Sequence, residues 1–389
     1  MRIAVLTSGL LPVPAVQGGA VENLIDFYLE YNDIHHLHDI TVYSISHFKT
    51  KDHSALLSTV NHYYYIDVES IWAKIKRKIY YFIHGNKYHH YFIEYYLEQS
   101  IKHIRKQNYD CIILENRPSY ALKVRSVTNS RLIYHLHNEK LTLETPSYQD
   151  IYDAGSLIVC VSDFVVRSVK AINPNDKKCI VVHNGIDLSS FINPTTTINR
   201  KKIGLSQQNF IIVYSGRINP EKGIRELTEA MLRLRNYAQI KLMVIGSSFF
   251  GNNTEDDSFT KELRKNVESI KDNIVFTGFI PYKYVPSYLK LADIAVVPSM
   301  WDEPFGLTVL EAMAAGLPLI TTRSGGIPEI CNGVANIVER DNIVDNLVNS
   351  ILTLYKDSSI RMKLSTLSKK RCLQFSKDNY AYNFFRAIS

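Results

Sequence analysis

Residues 293–322, DIAVVPSMWDEPFGLTVLEAMAAGLPLITT, decide the fold of this chain. An apolar run is followed by a short polar loop, then by a mostly apolar segment, and then by a second apolar run. The pattern predicts a strand, a loop, a helix that ends at Gly316 and Pro318, and another strand. Near-continuous apolar strands are typical of parallel sheets that are covered on both faces. The stretch therefore predicts an α/β fold.

Two carboxylates interrupt this stretch, with seven residues between them. Glu303 lies in the predicted loop, where neighbouring backbone N–H groups are available, and Glu311 lies about two turns into the helix. From Leu307 to Leu317, only Thr308 and Glu311 are neither apolar nor glycine. An uncompensated buried carboxylate is energetically expensive, so Glu311 requires a partner. A nearby Lys or Arg is one candidate, and the two hydroxyls of a bound ribose are the other.

The alternation of strand and helix continues through the whole chain in two series. The predicted strands of the first series lie at 2–8, 40–46, 110–116, 131–137, 156–162 and 179–187. Those of the second series lie at 210–216, 241–247, 273–279, 293–299 and 317–322. Two such series predict two doubly wound domains that face one another. Ligands bind beyond the carboxyl ends of the strands in such sheets, so we expect the site in the cleft between the domains.

The bulk composition fits a two-domain globular protein. The chain has 389 residues, of which 46% are hydrophobic and 21% charged, and 389 residues exceed one ordinary core. The net charge of +7 favours anionic partners such as nucleotides, phospholipids or nucleic acid without choosing among them. Five scattered cysteines without metal-ligand spacing indicate reduced, buried thiols in a cytoplasmic protein.

The sequence contains no predicted membrane span or signal peptide. No apolar run approaches the ~18 residues that cross a bilayer. The N-terminus superficially imitates a signal peptide, but Pro12 and Pro14 interrupt its apolar region, and two glycines replace a cleavage site. We therefore predict a first strand and its loop there.

The motif GRINPEKG at 216–223 follows a predicted strand directly. Arg217 and Lys222 are five residues apart in a loop that leads into a helix. The planar guanidinium, the ammonium and the helix N-terminus all suit a diphosphate. Two solvated surface cations are the alternative interpretation. The loop is not a Walker motif, and no GxGxxG follows the first strand of either domain, which weakens a nicotinamide or flavin interpretation.

Together these motifs resemble the family 4 glycosyltransferases, retaining enzymes with the GT-B fold. The matching segments are HNGID, GRINPEKG, PSMWDEPFGLTVLEAMAAGLPLITT and SGGIPEI, in the family's order and spacing, and the resemblance covers nearly the whole chain. The segments LPVPAVQGGAVE, ENRP and YHLHNE are similar to the subgroup that builds capsule, exopolysaccharide or spore-coat glycans. The resemblance implies an α/β, GT-B fold of two doubly wound, Rossmann-like domains facing across a cleft.

The resemblance also implies roles for individual residues. Four are implied to be catalytic: Glu303, Arg217, Lys222 and His137. Within this set, Arg217 and Lys222 neutralise the donor diphosphate, and Glu303 contacts the transferred sugar. Seven are implied to bind the donor: Gly18, Gly19, Gly216, Phe305, Gly306, Leu307 and Glu311. Among these, Glu311 holds the ribose, so its predicted partner is the ligand.

Two of these assignments have alternatives. His135 and His137 fall on the same face of a strand, where they are either packed, or a metal pair, or available to substrate. No third ligand suggests itself nearby, so we do not expect a metal, and we favour a hydrogen bond from His137 to a sugar hydroxyl. Gly18 and Gly19 match a loop that approaches the donor, but glycine is also common in an ordinary turn.

The resemblance implies the following domain plan. Residues 1–190 form the acceptor-side domain and 191–209 a polar linker. Residues 210–372 form the nucleotide-sugar-binding domain, and 373–389 form a helix that crosses back to the N-terminal domain. The sequence does not identify the partner of that aromatic-rich helix.

The expected reaction is transfer of a sugar from a UDP-hexose or UDP-N-acetylhexosamine to a glycan or a lipid-linked oligosaccharide of the bacterial surface. The resemblance implies retention by same-face attack, in which the leaving phosphate helps to deprotonate the acceptor, without a covalent nucleophile. We expect no cofactor and no metal, since the acidic segment 254–257 fits a solvated loop. A nucleotide-sugar epimerase of the same fold and a non-catalytic nucleotide-sugar-binding subunit are the alternatives.

Residues 72–96, WAKIKRKIYYFIHGNKYHHYFIEYY, combine Trp72 and many tyrosines with basic side chains. The cations are Lys74, Lys76, Arg77, Lys78 and Lys87. The pattern is typical of an interfacial helix on anionic lipid, of a solvated helix with inward aromatic packing, or of nucleic-acid binding. The glycan interpretation favours lipid, because such acceptors are often linked to polyprenyl diphosphate. We therefore expect a cytoplasmic protein, peripheral on the inner face of the plasma membrane, without a nucleic-acid partner.

Overall fold

A computed structural model describes residues 1–50, 60–84, 91–247 and 257–389. Lys87 and residues 254–256, to which the predictions above refer, lie outside the described residues. The chain forms two compact units: one consists of Met1–Gly185 together with Lys377–Ser389, and the other of Ile186–Ser376.

The first unit contains a parallel sheet with helices along the chain between its strands. Its described strands are β1 (Arg2–Leu6), β2 (Asp39–Ile45), β3 (Asn61–Ile66), β4 (Cys111–Glu115), β5 (Arg131–Leu136), β6 (Leu157–Cys160) and β7 (Cys179–Val181). They are ordered β3-β2-β1-β4-β5-β6-β7, with every described pair parallel. Its described helices are α1 (Ala20–His35), α2 (Ile71–His84), α3 (Tyr91–Ile104), α4 (Ala121–Arg125), α5 (Tyr148–Ala154), α6 (Asp163–Lys170) and α15 (Lys377–Ile388).

The second unit repeats this architecture. Its described strands are β8 (Phe210–Ser215), β9 (Ile240–Ile245), β10 (Ile274–Gly278), β11 (Ile294–Val297), β12 (Leu319–Thr322) and β13 (Asn336–Val338), ordered β10-β9-β8-β11-β12-β13 and parallel throughout. Its described helices are α7 (Leu188–Ile192), α8 (Ile224–Arg233), α9 (Ser258–Asn266), α10 (Val285–Leu289), α11 (Leu307–Ala314), α12 (Ile327–Cys331), α13 (Ile343–Lys356) and α14 (Ser358–Cys372).

Burial explains why the apolar runs form these strands. All five residues of β4 and all four of β11 are buried, as expected of strands covered on both faces. The two doubly wound, Rossmann-like units confirm the predicted fold class. β3 was not predicted: it lies at the edge of its sheet, and four of its residues, including three consecutive tyrosines, are at least partly exposed.

The helix of the opening stretch ends where the sequence predicts. Gly316 adopts φ +80°, and its N–H donates to the carbonyl of Met313 at 2.9 Å. Leu317 donates to the carbonyl of Ala312 at 3.0 Å, which completes the termination of α11. Glu311 is the fifth residue of this helix, so it lies just over one turn in and not two.

The predicted linker, 191–209, lies within the second unit. It contains a 3-10 helix at Arg200–Ile203. The Arg200 guanidinium donates to the Leu291 carbonyl at 3.0 Å and pairs with Asp293 at 3.0 Å. The segment is therefore tied to the body of that unit.

The C-terminal helix α15 packs into the core of the first unit. The rings of Tyr28 and Phe384 stack with centroids 4.7 Å apart, and Lys377 pairs with Glu30 at 2.8 Å. The structure thus identifies α1 as a partner of this helix. Within the described ranges, no helix has both the length and the hydrophobicity that crossing a bilayer requires.

Candidate functional site

Two loops of the second unit are in direct contact at the carboxyl ends of β8 and β11. The N–H of Met300 donates to the carbonyl of Glu221 at 2.9 Å. A Cβ at Gly223 would lie 1.8 Å from the Pro298 carbonyl oxygen, so only glycine permits this approach. The motif GRINPEKG and the loop before α11 are therefore one structural site, although they are far apart in sequence.

Lys222 and Glu303 form an ion pair at this contact. The Lys222 Nζ lies 2.5 Å from the Glu303 Oε1, and the Ser299 hydroxyl donates to the same oxygen at 2.9 Å. The ammonium also lies 5.3 Å from the centroid of the Trp301 ring. Glu303 is buried, whereas the Lys222 side chain is 22% exposed. The cation predicted to bind phosphate and the acid predicted to contact the sugar are thus paired with each other.

Arg217 lies in the same loop as Lys222 but is exposed. Its carbonyl accepts a 2.6 Å hydrogen bond from the Tyr214 hydroxyl. Burial raises the pKa of Tyr214, as does the Glu303 carboxylate, while Arg217 opposes this shift. Arg217 and Glu303 therefore act electrostatically on one buried hydroxyl. Gly216, before Arg217, adopts φ +156°.

The segment SGGIPEI positions the backbone of Glu303. The N–H of Gly326 donates to the Glu303 carbonyl at 2.7 Å. Gly325 adopts φ +51°, and a Cβ there would lie 2.2 Å from the Glu303 carbonyl oxygen. In the sequence, this segment contributed only to the family resemblance. In the structure, its two glycines contact the backbone of Glu303.

Arg340 binds the loop that carries Glu303, and the sequence analysis did not predict this contact. Its guanidinium donates to the Asp302 carboxylate at 2.8 Å and to the Met300 carbonyl at 3.1 Å. The same Asp302 carboxylate accepts the N–H of Gly325 at 3.2 Å. Arg340 follows β13, which was also not predicted, so no motif or spacing connected it with this loop.

Glu311 is buried, and its hydrogen-bond partner is the Tyr282 hydroxyl. The Lys or Arg considered from sequence is not the partner that the structure provides. Burial raises the pKa of Glu311 to about 7, although the hydrogen bond from Tyr282 favours the ionised form. Near neutral pH this helix therefore carries a carboxyl group that is only partly ionised.

The residues between the two acids form the start of α11. Phe305 is buried and packs edge-on against Phe375, with centroids 6.1 Å apart. Gly306 adopts φ +107°, a region that favours glycine, and Leu307 is the first helical residue. This turn places the N-terminus of α11 next to Glu303 in the chain.

The glycine loop of the first unit precedes α1. Gly18 adopts φ +79° and Gly19 φ +114°, so both positions favour glycine. A Cβ at Gly18 would meet nothing within 4 Å, whereas one at Gly19 would lie 2.2 Å from the Glu22 carboxylate. Ala15 donates its N–H to Asp26 at 2.8 Å, which anchors the loop to α1. The positive φ angles therefore account for glycine at both positions.

His137 belongs to a buried cluster in the first unit. Its Nε2 lies 3.0 Å from the Oε2 of Glu115, and the Nδ1 of His135 lies 3.1 Å from the same oxygen. The hydroxyl of Tyr28 donates to the other carboxylate oxygen at 2.9 Å. The statement that no third ligand lies nearby was wrong: Glu115 is paired with His135 across β4 and β5, and these three side chains form a group that could hold a metal ion.

The charges of this cluster follow from burial and hydrogen bonding. Burial alone would raise the pKa of Glu115, but the two histidines outweigh it and lower this pKa to about 2. Burial and the neighbouring His135 lower the pKa of His137 to about 4, despite the opposing effect of Glu115. Above pH 5, the cluster therefore contains an ionised carboxylate and a neutral His137.

The two parallel-sheet, Rossmann-like units have the architecture of the GT-B fold. Residues 195–371 match the family model described as "Glycosyl transferases group 1". This match, together with relatives that are named as glycosyltransferases, confirms the predicted resemblance to GT-B glycosyltransferases.

Relatives match far beyond this region. YtcC of Bacillus subtilis (strain 168), which is named as a glycosyltransferase, is 29% identical over 95% of this chain and 87% of its own length. Spore coat protein SA of the same organism is 27% identical over 85% of this chain and 83% of its own length. Anabaena HepE, solved in complex with UDP and glucose, has a TM-score of 0.72 with 18% identity, covering 100% of this chain and 99% of HepE. This last similarity supports the fold alone.

Proposed function

We propose that this protein is a retaining, metal-independent hexosyltransferase of family 4. Its donor is a UDP-hexose or UDP-N-acetylhexosamine, and its acceptor is a glycan or a lipid-linked oligosaccharide in bacterial surface polysaccharide synthesis. The main support is the position of three side chains at the carboxyl ends of neighbouring strands. Lys222, in the loop after β8, pairs with Glu303, in the loop after β11. Glu311 lies in α11, the helix that follows the second loop. The name of spore coat protein SA supports the surface role, and the UDP in HepE supports the base.

The geometry suits departure of a nucleoside diphosphate. Glycosyl transfer passes through an oxocarbenium-like state while negative charge develops on the leaving diphosphate. Lys222 and the exposed Arg217 supply positive charge in the loop after β8, and cationic groups at developing charge lower the barrier. Glu303, held at a fixed position by Ser299 and the Gly325–Gly326 turn, accepts hydrogen bonds from sugar hydroxyls.

A panel of donors tests the proposal. UDP-, GDP- and ADP-sugars are added separately, and the melting temperature is measured, because a ligand that binds only the native state raises it. We expect UDP-sugars to give the largest increase and UDP release to follow on addition of an acceptor. A panel without any shift would contradict the assignment of this site to a nucleotide sugar.

The two alternative functions give different outcomes. An epimerase would interconvert sugars without net transfer to an acceptor. A non-catalytic subunit would bind the donor without turnover. The match to group 1 glycosyltransferases favours neither alternative.

The two glutamates should separate in binding measurements. Glu303→Ala should impair transfer while UDP still binds, because Glu303 is assigned to the sugar. Glu311→Ala should weaken UDP binding at least about tenfold, the scale of losing hydrogen bonds to a charged group. Titration calorimetry with free UDP measures both. Equal UDP affinities for the two variants would refute the split.

The pH dependence provides a further check on Glu311. The ionised carboxylate accepts from both ribose hydroxyls, and its pKa is about 7 in the folded protein. UDP affinity should therefore rise between pH 6 and pH 8 in the wild type, beyond any change in Glu311→Gln. The sign for folding is opposite: the ordinary pKa of Glu is 4.5, so ligand-free stability falls as pH rises from about 4.5 through 7. Glu311→Gln should lack that fall.

Transfer should persist in excess EDTA, because Arg217 and Lys222 supply the positive charge at the diphosphate. Initial rates are compared with and without chelator, and then with added manganese or magnesium. Complete loss of activity that a metal restores would overturn metal independence. The Glu115 cluster makes this control necessary, since its three side chains include groups that bind divalent metals.

We also propose that α2 binds an anionic membrane surface at the inner face of the plasma membrane. Ile71, Ile75, Ile79 and Phe82 recur along one face of this helix, and all are exposed, Phe82 to 93%. Trp72, which is 71% exposed, extends this apolar face. Tyr80 and Tyr81 of the same helix are only partly exposed.

Basic side chains flank the apolar face of α2. Lys74 and Lys78 are exposed, while Lys76 lies 3.7 Å from Glu98 and over the ring of Tyr95. An apolar stripe with lysines beside it fits an anionic lipid surface, where each Lys or Arg contributes about 1 kcal/mol.

Sedimentation with vesicles measures this binding. Wild type should pellet with anionic vesicles at low salt, less so at high salt, and not with neutral vesicles. The combined change Lys74→Gln, Lys76→Gln, Arg77→Gln and Lys78→Gln should leave the protein in the supernatant with donor binding intact. Ile75→Ser with Phe82→Ser should do the same by removing the apolar anchor. If the wild-type protein does not sediment with anionic vesicles at low salt, α2 is an ordinary solvated helix. A soluble acceptor would then be favoured.

A further inference from the structure

His137 is held through one of its two ring nitrogens. Its Nε2 lies 3.0 Å from the Glu115 carboxylate, and its Nδ1 is buried without a hydrogen-bond partner among the described residues. An ionised carboxylate only accepts hydrogen bonds, so Nε2 must carry the hydrogen. A neutral imidazole with hydrogen on Nε2 presents a lone pair at Nδ1.

The position of Glu115 is itself fixed from several sides. It is completely buried at the end of β4, where Tyr28 donates to one oxygen and His135 donates to the carboxylate from the adjacent strand. The ring of His135 packs against that of Phe384, with centroids 4.7 Å apart. Three donors therefore share one carboxylate, and none of them is exposed enough to be replaced readily by water.

The backbone of His137 is held by the residue after Glu115. Asn116 adopts the left-handed conformation, with φ +54°, and its side-chain oxygen accepts the N–H of His137 at 3.2 Å. Asn116 in turn donates its own N–H to the His135 carbonyl at 2.8 Å. The segment after β4 thus controls both the main chain and the ring of His137.

Of the three cluster side chains, only that of His137 has any exposed area, 5%, whereas those of Glu115 and His135 are 0% exposed. A buried polar atom without a partner is costly, and a ligand hydroxyl is one means of satisfying it. We propose that Glu115 is a positioning residue that fixes His137 as the Nε2–H tautomer, so that Nδ1 accepts a hydrogen bond from a hydroxyl of the sugar substrate. This inference rests on the proposed transferase function.

The tautomer can be measured without any activity. Protein labelled with ¹⁵N-histidine is examined by long-range ¹H–¹⁵N NMR at pH 7.5, with His137 assigned by comparison with His137→Gln. We expect hydrogen on Nε2 and a bare Nδ1 for wild type. Hydrogen on Nδ1 would overturn the proposal, and so would coordination of His137 by a metal that copurifies with the protein.

Variants connect the tautomer with catalysis. Glu115→Gln can donate to Nε2, so it should populate the Nδ1–H tautomer and lower kcat by roughly tenfold to a hundredfold, the scale of one hydrogen bond to substrate. UDP affinity should not change, which separates this effect from failure of the donor site. Glu115→Asp keeps an acceptor and should restore the wild-type tautomer. Tyr28→Phe removes a different donor from Glu115 and should retain that tautomer.

The outcomes distinguish this inference from the proposed function. A protein with no transferase activity but with the Nε2–H tautomer would reject the proposed function and leave the positioning of the ring intact. If the Glu115→Gln variant keeps both the wild-type tautomer and the wild-type kcat, the role of Glu115 is rejected and the proposed transferase function stands. Melting temperatures of each variant show whether a loss reflects unfolding, and the wild-type spectrum decides the tautomer even if Glu115→Gln does not fold.

Discussion

Lys222→Ala should lower the turnover of donor by roughly 10²-fold or more, the scale of losing one charge-stabilising group. The ammonium supplies positive charge where the diphosphate departs, and the change also leaves Glu303 buried with only Ser299 as its remaining side-chain hydrogen-bond partner among the described contacts. The negative charge of Glu303 would then repel the donor phosphates, so the loss should appear in both kcat and donor affinity. Steady-state kinetics with the donor identified by the panel measure both.

Lys241→Ala is the matched control for Lys222→Ala. Lys241 also lies in the second unit, where its ammonium donates to the Asp272 carbonyl at 2.9 Å. This variant loses one lysine and two hydrogen bonds, the second being to the Asn273 side-chain oxygen at 3.3 Å, but it does not alter the loops after β8 and β11. It should keep turnover within a few fold of wild type. Lys222→Ala with turnover in that same range would reject the role of Lys222.

Gly325→Ala should disable transfer even though Gly325 carries no side chain. The new Cβ would lie 2.2 Å from the Glu303 carbonyl oxygen, so the loop that carries Glu303 must move. A displacement of about 1 Å at a catalytic group can cost on the order of 10²-fold in rate. We therefore expect a loss of transfer near that size, together with a lower melting temperature.

Gly333→Ala separates backbone strain from the steric clash. Gly333 also has positive φ, +77°, but a Cβ there would meet nothing within 4 Å. It should cost only the roughly 1–2 kcal/mol of a left-handed residue and leave transfer nearly intact. If both variants lose the same stability and neither loses activity, the turn does not position Glu303.

The elements of the fold were predictable because they depend on local patterns. The strands β4 and β11 are short continuous apolar runs, so a few residues are enough to predict them. The end of α11 is predicted by Gly316, because glycine readily adopts the positive φ at a helix end. β3 was missed because its tyrosines lie on an edge strand, where a continuous apolar run is not required. The edge position depends on the strand order, which no single segment contains.

Pairings across the sheets were not predictable from the same information. Lys222 and Glu303 are 81 residues apart and meet because β8 and β11 are neighbours. Glu115 joins the histidines because β4 and β5 are paired in register. The Tyr282 partner of Glu311 has no signal in spacing at all. Sequence therefore indicated which residue types carry the chemistry, and the strand order determined which of them are in contact.

The discontinuous first unit has a consequence for biosynthesis. Residues 186–376 form a contiguous segment that can complete its own core as it leaves the ribosome, since domains generally fold as units during synthesis. The first unit, although made earlier, lacks the aromatic residues of 377–388 until the whole second unit has been translated. Until then, Tyr28 and His135 lack the ring contact that Phe384 makes with each of them in the folded protein. This surface of the nascent chain is therefore available to chaperones until residues 377–388 have been translated.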